Sequence, residues 1–121
     1  IGGHTMDHPI LGVIYEAEAR QQIADNRAHL TRLLGRPPRY FAYPNGRPEQ
    51  DYQATHARMV AELGYEAAFT TSYGSAGPES GVFELPRFTP WDRDALRFSL
   101  RLGHNFFRGH SRRLLADEAL V

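Results

Sequence analysis

The sequence predicts an α/β fold in which parallel strands alternate with helices, and two observations carry that expectation. Short apolar or aromatic runs, namely IGGH at 1–4, RYFAYP at 39–44, EAAFTT at 66–71 and FELPRFT at 83–89, alternate with longer stretches of helical periodicity. Glycine or proline punctuates most of the junctions, and strands interleaved with helices in this way imply βαβ units around a parallel sheet. Size sets the scale. A chain of 121 residues with 41% hydrophobic content is one globular domain at most, yet it is short for a closed barrel, which takes about 200 residues or more. Residues 1–121 therefore read as a single incomplete domain.

Residues 1–4 read as the last part of a strand, with a glycine pair that lets the backbone turn or approach a neighbour closely. From about Tyr15 to Leu34 an amphipathic helix is expected, with Ala19, Ile23, Leu30 and Leu34 on one stripe, acids in its first turn and Gly35 as its stop. RYFAYP follows as a short strand and NGRPEQD as the loop at its C-terminal end. A second helix is expected from about Asp51 to Leu63, with Tyr52, His56, Met59, Val60 and Leu63 at helical spacing and Gly64 beyond it. EAAFTT reads as a buried strand, SYGSAGPESG as an exposed loop and FELPRFT as a further strand. WDRDALRFSLRLG reads as a third helix with Asp92 as N-cap, and the last twenty residues as a short helix or tail.

Composition excludes several classes of partner and chemistry. Fourteen basic residues, all arginine, balance fourteen acidic ones, so no long-range field gathers nucleic acid or an anionic membrane. Without cysteine there is neither a disulfide framework nor a thiolate nucleophile, and a metal site must draw on His, Asp, Glu or water. No apolar run reaches the length of about 18 residues that a membrane-spanning helix needs.

His4 and His8 are spaced i and i+4, so one turn between them brings both imidazoles to one side, as two ligands of one metal require. HExxH chemistry is excluded, since Thr5 stands where the glutamate base belongs. Bare HxxxH is weak evidence, but a strand, two glycines, HTxxH and proline together place the pair at the C-terminal end of a strand, where α/β sheets carry their sites. His29 lies on a charged helix and reads as solvated, and His56 as half-buried packing.

GGHTMDHPIL resembles the second motif of the NodB-type polysaccharide deacetylases: glycine, any residue, histidine, serine or threonine, two further residues, histidine, proline. FAYPNG at 41–46 is similar to their third motif in branches that write it FAYPYG or FSYPNG. LGYEAAFTTSYG at 63–74 and ELPRFT at 84–89 resemble the family's following two segments, so four segments in the family's order cover residues 1–92.

The resemblance implies a partial (β/α) barrel and a hydrolase that removes N-acetyl groups from an N-acetylated polysaccharide or oligosaccharide with the help of a divalent metal, commonly zinc. His4 and His8 are then metal ligands, Thr5 the hydroxyl that orders the turn between them, and Asp7 a surface residue or a support for the ligands. Ala42 stands where the third motif has arginine; Pro44 and Gly46 match that motif, and Asn45 takes the tyrosine position, where the backbone N–H is the oxyanion donor. Arg87 is the candidate to replace the absent arginine. Tyr43, Pro44 and Trp91 are expected to face the sugar. The general acid of the family is a histidine in a late LxH segment, for which His104 is a poor match and His110 a poorer one. The family's first motif, a TFDD-like segment that supplies the general base and third ligand, is expected upstream of residue 1. Without it, the resemblance implies either a complementing N-terminal segment or self-association through an exposed sheet edge. It also suggests a bacterial, periplasmic or cell-envelope location. Two competing readings are a catalytically silent remnant that serves as a binding or assembly module and a zinc-binding structural domain with no carbohydrate role.

Overall fold

In the computed structural model, which describes residues 1–107, the sheet is parallel throughout. Its strands β1 (Tyr40–Ala42), β2 (Ala67–Tyr73) and β3 (Leu85–Arg87) pair in the order β1-β2-β3. The strand end expected at 1–4 is a single parallel bridge between Gly3 and Phe41, on the side of β1 away from β2. There the Gly3 N–H donates to the Tyr40 carbonyl at 2.8 Å, and its carbonyl accepts from the Ala42 N–H at 2.9 Å. Each strand thus lies beside its predecessor in sequence. That is the winding of a barrel sector, whereas a doubly wound sheet reverses direction part-way.

Among the described residues there are three helices, α1 (Glu16–Leu34), α2 (Ala54–Glu62) and α3 (Ala95–Phe107), with one 3-10 turn at Leu11–Val13 ahead of α1; α1 and α2 supply the helical side of the core. On α1 the predicted stripe packs in its first half: Ala19 and Ile23 are buried, Leu30 is half-buried and Leu34 is exposed. Gly35 ends the helix in the left-handed conformation, its N–H donating to the Thr31 carbonyl at 3.0 Å. α2 begins three residues later than the periodicity suggests, because Asp51 is used by the preceding loop and Gln53 becomes the cap. The Gln53 side chain and His56 form a reciprocal capping box, in which the Gln53 N–H donates to His56 Nδ1 at 2.9 Å. His56, expected as half-buried packing, is only 4% exposed.

The N-cap of α3 is Asp94 and not Asp92 as its sequence suggested. Asp94 Oδ1 accepts from the N–H groups of Leu96 and Arg97 at 2.8 and 3.1 Å, whereas Asp92 is drawn into an ion pair with Arg101. Leu96, Leu100, Phe106 and Phe107 on this helix are exposed. The link from β2 to β3 is a loop without a helix, as its glycine, serine and proline content predicted.

The core lies between the sheet and α1 and α2, built on Leu11, Ile23, Phe41, Tyr43, Tyr52, Val60, Tyr65 and Ala68. Tyr43 and Tyr52 stack with ring centroids 3.9 Å apart and planes 8° from parallel. Tyr43 also donates its hydroxyl to the Phe83 carbonyl at 2.8 Å, which holds the β2–β3 loop onto the sheet. Burying each such side chain contributes about 2 kcal/mol, so this cluster anchors the strand whose end carries the site.

Candidate functional site

Two loops meet at the C-terminal end of β1. The first is the turn that follows the Gly3 bridge. Glycine is required at position 3, because a Cβ there would lie 2.1 Å from the Tyr65 hydroxyl. This close approach brings His4 beside the end of β1, and its Nδ1 sits 2.7 Å from the Ala42 carbonyl. A carbonyl can only accept, so Nδ1 carries the proton and the lone pair of the neutral tautomer falls on Nε2, the arrangement by which metal-ligating histidines are fixed. The rings of His4 and His8 lie 4.7 Å apart at 68°, and both residues are exposed.

The turn between them is tight. Thr5 and His8 both take positive φ, 65° and 58°, which for a β-branched residue such as threonine is an outlier. Thr5 secures that geometry with its own hydroxyl, which donates to the His4 carbonyl at 2.5 Å and accepts the His8 N–H at 3.1 Å. Backbone strain of this kind costs on the order of 1–3 kcal/mol per residue and clusters at functional sites.

The second loop runs from Tyr43 to Asp51. Asn45 has φ 57°, and Gly46 has φ 77° with the Tyr43 carbonyl 3.0 Å from where a Cβ would be. The loop is pinned to β2 by Thr71, whose N–H donates to the Gly46 carbonyl at 2.8 Å and whose hydroxyl donates to the Asn45 carbonyl at 2.9 Å. The Asn45 residue is exposed and its own N–H makes no bond within the described chain. Asp51 closes the loop from below. Its carboxylate, 1% exposed, accepts the Arg47 backbone N–H at 2.9 Å and the guanidinium Nε and Nη2 at 2.8 and 2.9 Å. Hydrogen bonding from Arg47 holds its pKa below the ordinary carboxylate value, against the opposing effect of burial.

The remaining expected residues divide. Tyr43 and Pro44 are fully buried, so neither presents a face to a sugar; Tyr43 is the stacked core residue described above, and this corrects the expectation for both. Trp91 is 82% exposed and lines a cavity of about 330 Å³ with Thr71, Tyr73, Arg87, Phe88 and Arg101. Arg87 ends β3 opposite Tyr73 and is exposed. His104 lies exposed on α3, with no apolar strand before it, and His110 lies outside the described residues. Asp7 is tied to α1 through Gln22, whose Nε2 donates to its carboxylate at 2.7 Å. Gln22 and Asn26 were not singled out from sequence; two side-chain amides one turn apart on α1 were the available signal.

Among the described residues, no group of three or more His, Cys, Asp or Glu side chains could hold a metal ion. The histidine pair fits such an ion in donor type and could provide two of its ligands.

The chain matches the family model described as "Polysaccharide deacetylase" over residues 1–68. The chain belongs to the polysaccharide deacetylase family. The matched span includes both loops of the site and the helix between them. The Bacillus subtilis (strain 168) protein YxkH, which carries a polysaccharide deacetylase name, is 25% identical over 87 residues, covering 72% of this chain and 30% of its own length. Among solved structures, the Streptococcus pyogenes deacetylase PplD in complex with acetate is 28% identical with a TM-score of 0.66, covering 74% of this chain and 39% of that one. IcaB from Ammonifex degensii is 24% identical with a TM-score of 0.53, over 74% of this chain and 41% of that one. The chain thus spans less than half the length of these relatives. Its fold is part of the (β/α) barrel of NodB-type deacetylases, with the parallel sheet and helices described above.

Proposed function

We propose that this chain carries part of the active site of a metal-dependent hydrolase that removes N-acetyl groups from an N-acetylated polysaccharide or oligosaccharide. The observation that carries the reading is the His4–His8 pair, held 4.7 Å apart at the end of β1 with His4 Nδ1 committed to the Ala42 carbonyl. His4 and His8 would hold a divalent metal, zinc in the first instance, which supplies Lewis acidity toward the acetamide carbonyl and acidifies water. The free Asn45 N–H stands ready to donate to the oxyanion, a task the main chain performs whatever side chain it bears. Arg87 ends β3, two strands over from β1 at the C-terminal end of the parallel sheet, and is the candidate to hold a catalytic carboxylate in its charged form. Trp91 offers an exposed aromatic face, which suits the apolar side of a pyranose. The PplD structure is a complex with acetate, the product of such a reaction. In this mechanism the third ligand and general base would be carboxylates of a TFDD-like segment, a motif that residues 1–121 do not contain.

The test is acetate release from N-acetylglucosamine oligomers by the protein extended through that segment, with and without chelator. Activity that survives both chelation and His4→Ala refutes the metal mechanism. A silent binding or assembly module is the second reading, favoured by the exposed apolar residues Leu96, Leu100 and Phe106 of α3. It predicts no acetate release from the extended protein and concentration-dependent self-association in sedimentation.

A further inference from the structure

We propose that Gln22 and Asn26 of α1 are positioning residues that shape the histidine turn for metal and decide which of its side chains serve as ligands. The inference rests on the reading of His4 and His8 as metal ligands. Asn26 Oδ1 accepts the His4 N–H at 2.9 Å, and Gln22 Oε1 accepts the N–H groups of Met6 and Asp7 at 3.0 and 3.1 Å. With the His8 N–H taken by Thr5, four backbone donors of the turn have side-chain acceptors, and two amide oxygens of α1 accept from three of these donors. Gln22 and Asn26 are one helical turn apart and half-buried, so α1 presents both amides to the turn as a rigid unit.

Two consequences follow from the chemistry. First, the left-handed φ values of Thr5 and His8 persist only where surrounding bonds over-determine them, and the clamp supplies those bonds from outside the turn. Preorganised ligands bind metal more tightly than ligands that must be ordered on binding. Second, the amide nitrogen of Gln22 donates to Asp7 Oδ2 at 2.7 Å. Asp7 stands at i+3 from His4, where a carboxylate could compete for the ion. Gln22 therefore holds it as an anchor of the turn and leaves the metal to imidazoles and to a carboxylate from elsewhere.

The test uses the chain with zinc in calorimetry and cobalt(II) in absorption spectroscopy, together with thermal unfolding of the metal-free protein. Asn26→Leu and Gln22→Leu are expected to weaken zinc binding by about 10-fold or more, in the range measured for supporting partners of metal ligands. Asn26→Asp, whose carboxylate still accepts the His4 N–H, is expected to stay within about threefold of the parent. Gln22→Glu keeps the acceptor but repels Asp7; the cobalt spectrum should change, and should return in the Gln22→Glu/Asp7→Asn double variant. A purely structural role lowers the unfolding temperature and leaves zinc affinity of the folded protein unchanged, which overturns the proposal. If the leucine variants do not fold, the conservative pair decides, and a Gln22→Glu protein with parental affinity and spectrum refutes the hold on Asp7. His4→Ala separates the two levels. Parental zinc binding by His4→Ala sinks the metal site itself, whereas loss there with parental binding in the leucine variants sinks only the clamp.

Discussion

Lowering the pH should loosen α2 through one residue, His56. Its Nδ1 accepts the Gln53 N–H at 2.9 Å, which requires an unprotonated nitrogen, and burial depresses its pKa below 6.5 while nearby Glu16 opposes the shift. In the folded protein His56 is therefore neutral at a pH where the unfolded chain has already taken up a proton. Stability contributed by the neutral ring is fully present above about 6.5, the unfolded value, and is lost as pH falls from there toward the folded value. Protonation also turns the acceptor into a donor facing a donor, so the cap bond, worth about 1 kcal/mol, goes with it. For a domain of this size that corresponds to a fall of about 4 °C in Tm between pH 7.5 and 5.5. The assay compares urea or thermal unfolding of the parent with His56→Gln, since glutamine is a natural capping-box partner at N3 and does not titrate. The difference between the two proteins should be small at pH 7.5 and grow in favour of the variant as pH falls. A difference that stays constant across this range, or grows in favour of the parent, would refute the assignment of His56 as a neutral cap.

Gly3→Ala places a methyl 2.1 Å from the Tyr65 hydroxyl and should destabilise the protein by about 1–3 kcal/mol in chemical denaturation, with partial recovery in Gly3→Ala/Tyr65→Phe. Asp51→Asn removes the charge that accepts three Arg47 donors; because Arg47 is largely exposed, the expected loss is about 1–2 kcal/mol at neutral pH, diminishing as the pH falls below the ordinary carboxylate value of 3.8 toward the depressed folded one. Asn45→Gly keeps both the N–H and the left-handed backbone, so acetate release by the extended protein should remain within about threefold of the parent; a 100-fold loss, the size expected on removing an oxyanion donor, would show that the side chain acts and not the main chain. Trp91→Ala should raise KM for an oligosaccharide while leaving kcat largely unchanged, and the reverse pattern would remove Trp91 from substrate binding.

Local signals were legible where a side chain answers to its own neighbours along the chain. Gly35 ends α1 because a left-handed residue must follow the last turn, and the periodic His56, Met59 and Val60 are buried because spacing alone puts them on one side of α2. The histidine turn was legible for the same reason, since glycine, HTxxH and proline are consecutive. What escaped were choices made between distant segments. Asp92 and Asp94 are equally good caps on paper, and the choice fell to Arg101, nine residues on, which pairs with Asp92 and leaves the cap to Asp94. Tyr43 reads as a sugar wall because an aromatic face suits a pyranose, yet Tyr52 and Phe83, brought over by the loop before α2 and the β2–β3 loop, enclose it.

The sequence by itself determined the alternation of strands and helices, the family and the pair of histidines, because each is written in short-range pattern. Only the tertiary structure decided that His4 presents Nε2, that the Asn45 N–H has no partner among the described residues and that Asp7 is tied to α1. Those outcomes depend on the Ala42 carbonyl, on Thr71 and on Gln22, groups 38, 26 and 15 residues away. No spacing rule reaches that far, since a hydrogen bond at such separation exists only once packing has brought the partners together.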